Sequence, residues 1–434
     1  MTDPRYLAVK LLNKTFGSNG YSNLQLSGGL ENSDMDIRDK KLCSALYYGV
    51  IERKLTLDYI ICGLSSRPIE KLDSAVLNIL RCGIYQLLYM ETIPDSAAVN
   101  ECVSLAKKFS KTSASGLINA VLRNFIRQGK KLSMPRDSIE AVSIKYSVPK
   151  ELVETITDDF GPELAENLFS DALTAPPVTI RRNQLLCTEE ELFDSIGKNS
   201  LKRLDFPENA YTLCGSDVAS SEAFKRGFFH VQDIASQLCC MAVAPTDKDR
   251  ILDLCAAPGG KTFTMAEMMG GKGEVYAFDL HEKRVGLIKK GAERLCLENI
   301  RAAVGDASKY NPQLPKFTKV LCDVPCSGLG AIRRKPEIKY KSLSDFSGLP
   351  EIQYRIAENA LNYLEHGGEL IYSTCTLRRE ENDAVCDRLL ENYGDVIEAI
   401  KLPSVLGERF GCRASIFPCH FGSDGFYIAK LRKR

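Results

Sequence analysis

From residue 245 onward, short apolar runs alternate with amphipathic stretches, and this alternation limits the fold more than any other feature of the sequence. The apolar runs are RILDLC, EVYAFDL, IRAAVGDA, KVLCDVPC and GELIYSTCT, with helical spacing in most of the gaps between them. Repeated strand, loop and helix units build a mainly parallel sheet with helices on both faces. The tail 414–433 instead predicts two strands joined by GSDG. In such sheets, ligands bind outside the carboxyl ends of the strands.

The first 130 or so residues carry apolar residues at helical spacing. In LDSAVLNILRCGIYQLL, the residues Val76, Ile79 and Leu80 fall on one face of a helix. PDSAAVNECVSLAKKF repeats the pattern, and its polar start predicts a helix cap at Asp95 or Ser96. Several amphipathic helices with short links pack as a bundle.

Between residues 131 and 235 the pattern changes to short helices broken by prolines and to isolated strand-like runs. This texture predicts a small α+β segment. The sequence therefore indicates a multidomain protein with an all-α bundle at 1–135, a small α+β segment at 136–235 and an α/β domain at 236–434.

Composition excludes several classes of protein. The net charge is +1, so any surface that attracts nucleic acid must be local. No apolar run approaches the about 18 residues of a membrane span, and the opening residues do not read as a secretory signal. The sixteen cysteines therefore indicate reduced thiols in the cytoplasm. No C-x-x-C pair occurs among them, and we expect no metal and no membrane partner.

The loop DLCAAPGGKT follows the first strand of the α/β domain and opens a helix. Its glycines allow close backbone approach, and a helix amino terminus favours a carboxylate or a phosphate. Gly260, Lys261 and Thr262 fit the end of a Walker A loop, but Cys255 stands where its first glycine belongs and Pro258 interrupts it. The dinucleotide fingerprint G-x-G-x-x-G also fails.

Two aspartates follow the next strands. Asp279 ends the second strand, where an acid accepts hydrogen bonds from both hydroxyls of an unphosphorylated ribose. Asp306 follows the third strand, where an adenine amino group could be read. An adenosine with a carboxylate tail and no phosphate is S-adenosylmethionine. Each aspartate alone also fits a helix cap or a loop position, and Asp279 alone does not exclude ATP.

Two cysteines and an acid end the fourth and fifth strands. A thiolate that adds to carbon 6 of cytosine makes carbon 5 nucleophilic, and this addition needs an acid near ring nitrogen 3. Asp323 could supply that acid, and Cys326 or Cys375 could supply the thiolate. A release step must then free the thiol. The spacing leaves open which thiol attacks, and either cysteine could also serve only in packing.

LDLCAAPGGKT, DVPCSGLG and YSTCTL closely resemble the signature motifs of the RsmB/Nop2/Sun family of RNA cytosine-5 methyltransferases. GFFHVQDIASQL and DGFYIAKLRK also resemble segments of that family, so the likeness covers roughly 145–434. It implies a Rossmann-like S-adenosylmethionine-dependent methyltransferase domain. The helical amino terminus resembles a NusB-like RNA-binding domain. Together these resemblances imply methylation of carbon 5 of a cytosine in 16S (small-subunit) ribosomal RNA.

The resemblance also implies roles for single residues. The cysteine of the T-C pair attacks in this family, which falls on Cys375, and the cysteine of the P-C pair assists release, which falls on Cys326. S-adenosyl-L-methionine is the implied cofactor, ribosomal RNA is the partner, and we expect a monomer. The cofactor-binding residues would be Cys255, Ala256, Ala257, Pro258, Gly259, Gly260, Lys261, Asp279, Asp306 and Asp323.

Basic residues just after Cys326 offer a place for RNA. AIRRKPEIKYK carries five cations against one acid, Glu337, and we expect it to meet phosphates at the rim of the site, although it also fits an ordinary solvated loop. The five cations are Arg333, Arg334, Lys335, Lys339 and Lys341. Arg181 and Arg182 are weaker candidates, as is the LRKR terminus. The target cytosine must leave its stack to reach buried thiols.

Two other functions fit parts of the sequence. An RNA-binding assembly factor would depend on the amino-terminal bundle and would not need either thiol. A P-loop ATPase would use Gly260, Lys261 and Thr262, with Asp323 as its Walker B acid. Binding of ATP rather than of S-adenosylmethionine would favour the ATPase.

Overall fold

A computed structural model describes residues 2–17, 22–214, 218 and 221–434. The chain divides into two compact units. The helical unit comprises Met1–Thr174 with Ile332–Lys341, and the sheet unit comprises Ala175–Ala331 with Ser342–Arg434. Among the described residues, helices that are both long and apolar enough to cross a membrane are absent. The boundaries expected at 135/136 and 235/236 stay a prediction.

The helical unit follows the apolar periodicity of its sequence. Its helices are α1 Pro4–Gly17, α2 Ser22–Glu31, α3 Ile37–Glu52, α4 Lys54–Leu64, α5 Ser74–Tyr89, α6 Asp95–Lys108, α7 Ser115–Arg127, α8 Ser138–Tyr146, α9 Lys150–Phe160 and α10 Pro162–Asp171. The expected helix cap at Asp95 or Ser96 is wrong. Helix α6 begins at Asp95 with Pro94 as its N-cap residue, and no side chain caps it.

Helix α5 lies in the core of the helical unit. Val76, Ile79 and Leu80 are buried on it, as their spacing predicts. At Gly83, an added Cβ would lie 2.7 Å from the side chain of Leu122 on α7. Glycine therefore allows α5 and α7 to approach closely, and their apolar faces remove each other from water.

The segment Ile332–Lys341 packs within the helical unit, although sheet-unit residues flank it in the chain. Lys339 Nζ donates to the Glu52 carbonyl oxygen at 2.8 Å, and Arg333 pairs with Asp171 at 2.9 Å. Lys339 is 1% exposed and Arg333 is 7% exposed, so the prediction that these two cations meet phosphates is wrong. Carbonyls of the last turn of α3 lack partners within their own helix, and Lys339 satisfies one of them.

The sheet unit begins with a small antiparallel sheet of order β2-β3-β1-β4. Its strands are β1 Val178–Arg182, β2 Leu201–Arg203, β3 Ala210–Leu213 and β4 Phe229–Val231, and its helices are α11 Glu189–Ile196 and α12 Glu222–Lys225. Thr188 caps α11 through a capping box with Glu191. Helix α13, Ile234–Val243, then leads into the large sheet.

The large sheet has the order β10-β12-β9-β8-β5-β6-β7, with β11 paired to β12. Its strands are β5 Arg250–Asp253, β6 Glu274–Asp279, β7 Ile300–Val304, β8 Phe317–Asp323, β9 Leu364–Thr374, β10 Ile397–Ala399, β11 Arg413–Ile416 and β12 Phe426–Lys433. The connecting helices are α14 Gly260–Met268, α15 Glu282–Arg294, α16 Leu349–Leu361, α17 Asp383–Tyr393, α18 Ser404–Phe410 and α19 Pro418–Phe421.

Five adjacent strands of this sheet, β5 to β9, pair in parallel, which confirms the predicted α/β architecture. The tail also forms the two expected strands, β11 and β12, which pair antiparallel to each other. Their link contains the short helix α19 before the GSDG turn. Strand β12 lies antiparallel between β9 and β10, so the strand that carries Cys375 at its end is internal in the sheet.

Candidate active site

Four strand ends lie side by side at one edge of the large sheet. They belong to β5, β6, β8 and β9 and carry Asp253, Asp279, Asp323 and Thr374 as their last residues. Parallel pairing brings these carboxyl ends together. The register sets Asp323 opposite Ser373, so Cys326 and Cys375 follow neighbouring strand ends.

A cavity of about 440 Å³ opens at this edge, within the size range of small-molecule sites. It is lined by the predicted residues Cys255, Ala257, Asp279, Asp306, Asp323, Cys326 and Cys375. A second cavity of about 200 Å³ shares Cys255, Ala257 and Asp323 with the first, so the two are parts of one site. Ala256, Pro258, Gly260 and Lys261 line this second part.

The loop 255–261 is shaped by its glycines and by the start of α14. Gly259 has a φ of +113°, and a Cβ there would lie 2.3 Å from the ring of Phe263. Gly259 lines neither part of the cavity, and its contribution is to let the chain turn over this ring. Helix α14 begins at Gly260, so its amino terminus faces the smaller part of the cavity.

Asp279 lies at the tip of β6 and is 3% exposed. Its carboxylate accepts from the His281 backbone N–H at 3.2 Å and pairs with Arg284 at 3.3 Å. Arg284 also donates to the Ala257 carbonyl oxygen at 2.7 Å, which ties this acid to the loop 255–261. A buried carboxylate at the wall of the larger cavity suits the hydroxyls of a ribose.

Asp306 follows β7 and lies on the wall of the same cavity. Its carboxylate accepts from the Ser308 hydroxyl at 2.7 Å and pairs with Lys309 at 3.2 Å. The hydrogen bond from Ser308 lowers the pKa of Asp306, with Lys309 adding to the effect, so the carboxylate is ionised at neutral pH.

Asp323 joins three elements of the site. One carboxylate oxygen accepts from Lys261 Nζ at 2.7 Å, and the other accepts from the Ser373 hydroxyl at 2.9 Å. Burial acts to lower the pKa of Lys261, but Asp323 outweighs it and the pKa is raised above the usual value for lysine. The lysine is therefore a cation, and its ammonium also lies 5.1 Å from the centre of the Phe426 ring.

The two cysteine sulfurs, Cys326 Sγ and Cys375 Sγ, lie 3.3 Å apart. The hydrogen bond with Cys375, together with burial, holds the pKa of Cys326 well above the usual value for a thiol. The backbone fixes the second cysteine, since Gly330 N–H donates to the Cys375 carbonyl at 2.9 Å and Gly425 N–H donates to the Gly330 carbonyl at 2.8 Å. A Cβ at Gly330 would lie 2.0 Å from the Gly425 carbonyl, so only glycine fits there.

Two acids of the site were missed by the sequence reasoning. Asp253 is 1% exposed, accepts from the Thr262 hydroxyl at 2.7 Å, and lines the smaller cavity. Burial raises the pKa of Asp253 to about 7. Glu381 is fully buried beside the residue that follows Cys326. An acid inside the apolar run RILDLC signals the first, whereas no local pattern signals the second.

The arginines offered as weaker RNA contacts are structural. Arg181 is 4% exposed and pairs with the buried Glu267 at 2.8 Å. Arg182 donates to the Cys187 carbonyl at 2.6 Å and to the side chain of Asn209. That prediction is therefore wrong for Arg181, whose guanidinium serves the core between β1 and α14.

The contacts of Thr262 and Lys261 argue against a P-loop. Thr262 is fully buried and donates its hydroxyl to Asp253, so it does not face a cavity where Mg²⁺ and phosphates could lie. Lys261 is held by Asp323, the acid that would have to serve as the Walker B residue. Among the described residues, a cluster of three or more His, Cys, Asp or Glu that could hold a metal ion is absent.

The parallel sheet, the acid at the tip of β6 and the glycine-rich loop define a Rossmann-like domain, the fold class to which S-adenosylmethionine-dependent methyltransferases belong. The family model described as 16S rRNA methyltransferase RsmB/F matches residues 240–432, and the NusB family model matches residues 2–127. With full-length relatives above 30% identity, the chain belongs to the RsmB/F family of rRNA methyltransferases.

Two relatives show the extent of the likeness. A probable ribosomal RNA small subunit methyltransferase B of Bacillus subtilis is 35% identical over 444 residues, covering 100% of this chain and 99% of the relative. One with the same description from Synechocystis is 32% identical over 447 residues, with 100% of both chains covered.

Solved structures share the fold. The crystal structure of PH0851 superposes with a TM-score of 0.81 at 21% identity, covering 99% of each chain. The structure of NSun6 from Pyrococcus horikoshii with SFG has a TM-score of 0.59 at 23% identity, covering 66% of this chain and 98% of the other.

Proposed function

We propose that the protein methylates carbon 5 of one cytosine in 16S ribosomal RNA through a covalent adduct with Cys375. The observation that carries this proposal is the pair of sulfurs, 3.3 Å apart, on the wall of the cavity that also presents Asp279 and Asp306. Methyl transfer to oxygen or nitrogen needs no thiol, whereas carbon 5 of cytosine becomes nucleophilic only after a nucleophile adds to carbon 6.

The residues of the cavity fit S-adenosylmethionine as the methyl donor. We assign the ribose to Asp279 and the adenine to Asp306, which both line the larger cavity, and the amino terminus of α14 favours the carboxylate of the tail. When bound, the cofactor supplies an electrophilic methyl group. NSun6 from Pyrococcus horikoshii was solved with SFG, an analogue of S-adenosylmethionine, and we extend that ligand class to this site.

Addition to the ring requires a thiolate and a cation. In the proposed step, the Cys375 thiolate forms a bond to carbon 6, and the electron pair of the carbon 5–carbon 6 bond moves toward carbon 5. Ring nitrogen 3 gains charge or a proton as this happens. Both oxygens of Asp323 already accept hydrogen bonds, so we assign the stabilisation of this charge to the ammonium of Lys261 as a hydrogen-bond donor rather than to Asp323 itself. The role that the sequence assigned to Asp323 alone is thus proposed for the Lys261–Asp323 pair.

Release reverses the addition once carbon 5 carries the methyl group. Solvent takes the proton of carbon 5, the electrons of that bond restore the ring double bond, and the bond from carbon 6 to sulfur breaks. The leaving sulfur of Cys375 then accepts a hydrogen bond from the Cys326 thiol, which lies within reach at 3.3 Å. A flipped or looped-out cytosine is required for this geometry. A monomer and a cytoplasmic location stay predictions.

Bisulfite sequencing of small-subunit RNA tests the product. In cells that lack the protein, one cytosine that resists conversion should become convertible. Wild-type protein should restore its resistance, and the Cys375→Ala variant should not. If every protected cytosine stays protected in the deleted strain, the protein does not methylate carbon 5 of this RNA.

A denaturing gel tests the adduct. Cys326→Ala should retain the RNA covalently, because the leaving Cys375 sulfur loses its hydrogen-bond donor. Cys375→Ala should retain none, and the double variant should behave like Cys375→Ala. An adduct with Cys375→Ala alone would reverse the two roles.

A further inference from the structure

Glu381 is fully buried, and its carboxylate contacts the residue that follows Cys326. One of its carboxylate oxygens, Oε2, accepts from the Ser327 backbone N–H at 2.8 Å. The same oxygen accepts from Gln353 Nε2 at 3.0 Å. Gln353 also donates to the Pro325 carbonyl at 2.9 Å. The residues on both sides of Cys326 are therefore held, one by Glu381 directly and one through Gln353.

The same acid also contacts the segment that follows Cys375. Arg378, 4% exposed, lies 3.5 Å from Glu381 Oε1. The Ser327 hydroxyl donates to the Thr376 hydroxyl at 2.9 Å, which joins the two cysteine loops a second time. The acid is thus the point at which both loops meet in the core of the sheet unit. A buried charge that is tied to two reactive loops is costly to keep for packing alone.

We propose that Glu381 is a positioning residue that holds Cys326 as a neutral thiol beside Cys375, and so determines which of the two sulfurs attacks. The choice of attacking sulfur rests on the proposed function, whereas the effect of Glu381 on the Cys326 thiol can be tested without it. The carboxylate of Glu381 binds the backbone of Ser327, the residue after Cys326, and its negative charge opposes a second negative charge on Cys326. Cys326 therefore remains a hydrogen-bond donor, and Cys375 is the sulfur left to ionise.

Electrostatics around Cys326 agree with this geometry. Its pKa is held above the usual value first by the hydrogen bond with Cys375, then by burial and by the charge of Cys375, and further by the charges of Glu381 and Asp323. Arg378 offsets Glu381 only in part, because its guanidinium also binds Glu380 at the surface. Removing the charge of Glu381 without changing its shape should therefore make Cys326 easier to ionise.

Alkylation of the full-length protein with iodoacetamide, read by mass spectrometry for each cysteine across pH 6 to 10, measures this directly. Glu381→Gln can still accept from Ser327 but has no charge. We expect Cys326 in this variant to react about threefold or more faster at pH 8, with its pH midpoint lowered, while Cys375, which shares a hydrogen bond with it, reacts no faster than in the wild type. Neither RNA nor a methyl donor is needed, so this result stands even if the proposed function fails.

Glu380→Gln is the matched control, because Glu380 also binds Arg378 but its side chain is 70% exposed to solvent. It should leave the alkylation of Cys326 as in the wild type. Should Glu381→Gln not fold, Glu381→Asp withdraws the charge by one methylene and should raise the rate to a smaller extent. Equal Cys326 rates and pH midpoints in wild type and in the folded Glu381 variant would overturn the proposal.

The covalent adduct gives a second readout. If Cys326 assists release as a thiol, Glu381→Gln should accumulate RNA adduct, though less than Cys326→Ala does. Altered alkylation without any adduct in Cys326→Ala would reject the proposed function while leaving the role of Glu381 intact. Adduct in Cys326→Ala with wild-type alkylation in Glu381→Gln would do the opposite.

Discussion

The loop 255–261 and the segment Ile332–Lys341 both follow a strand of the large sheet, and both carry a lysine whose ammonium is withdrawn from water. Lys261 meets the carboxylate of Asp323 in the sheet unit, whereas Lys339 meets a backbone carbonyl of α3 in the helical unit. By sequence alone, each region was a candidate for contact with a ligand. Only the first lies at the cavity, which shows that the partner of a lysine, and not its charge, decides its use.

The two lysines differ most in their protonation. Asp323 outweighs burial and raises the pKa of Lys261. At Lys339 burial prevails and lowers the pKa to about 7, while burial raises the pKa of the neighbouring Glu52 to about 7 as well. One lysine is therefore a fixed cation, and the other is close to losing its proton under physiological conditions.

The largest effect is expected for Lys261→Met. Methyl transfer from labelled donor to RNA should fall by about a hundredfold or more, because the ring loses the cation that meets its developing charge. The melting temperature should change little, since Asp323 is partly exposed and tolerates loss of its partner. Lys316→Met, a change of an exposed lysine away from the cavity, is the control. Wild-type activity in Lys261→Met would erase the contrast between the two lysines.

A smaller effect, on stability alone, is expected for Lys339→Met. The pKa of Lys339 is about 7 in the folded chain and 10.5 as its ordinary value, so the unfolded chain binds more protons between these pH values. Wild-type stability should therefore rise with pH from 7 to 10.5. The pKa of Glu52 is about 7 in the folded chain and 4.5 as its ordinary value, so stability should fall as pH rises from 4.5 to 7.

Lys339→Met should remove the rise in stability above pH 7, an effect of about 4 kcal/mol between pH 7 and 10.5, while methyl transfer at low temperature stays near the wild-type rate. Urea unfolding of the full chain at several pH values, with hydrogen exchange of peptides from α3, measures this. Glu52→Gln should instead remove the fall in stability between pH 4.5 and 7. The same pH slope in Lys339→Met and wild type would mean that Lys339 keeps its proton when buried.

The smallest effect concerns RNA binding. A lysine that touches a phosphate adds about 0.7 to 0.9 to the slope of log affinity against log salt concentration. Because Lys339 is 1% exposed, Lys339→Met should leave this slope unchanged for a 16S RNA fragment. A slope that drops by a full contact would show that the segment opens to bind RNA and would remove the distinction drawn between the two regions.

Much of the fold could be predicted from the sequence, because each parallel strand corresponds to an apolar run and most helices to apolar residues at helical spacing. The docking of Ile332–Lys341 could not. Its partners, the carbonyl oxygens of Ile51 and Glu52, lie almost three hundred positions earlier in the chain, and nothing local marks them as acceptors. The number of basic residues therefore predicted a phosphate site, whereas Lys339 of this segment is buried and bound to a carbonyl of α3.

The candidate site divides in the same way. Asp279, Asp323, Cys326 and Cys375 could be predicted together, since strand ends in a parallel sheet meet at one edge. Glu381 could not, because it lies in LRREEND, a run typical of a solvated turn. Its burial depends on Ser327 and Gln353, which reach it only once the sheet has formed.

The hydrogen bonds from Gly425 to Gly330 and from Gly330 to Cys375 link the site to the segment just before β12. Strand β12 is also the neighbour that covers one side of β9. Residues 426–433 follow both cysteine loops in the chain, so β9 gains this antiparallel neighbour only once they are present. The backbone geometry at Cys375 therefore depends on residues that lie about fifty positions further along the chain.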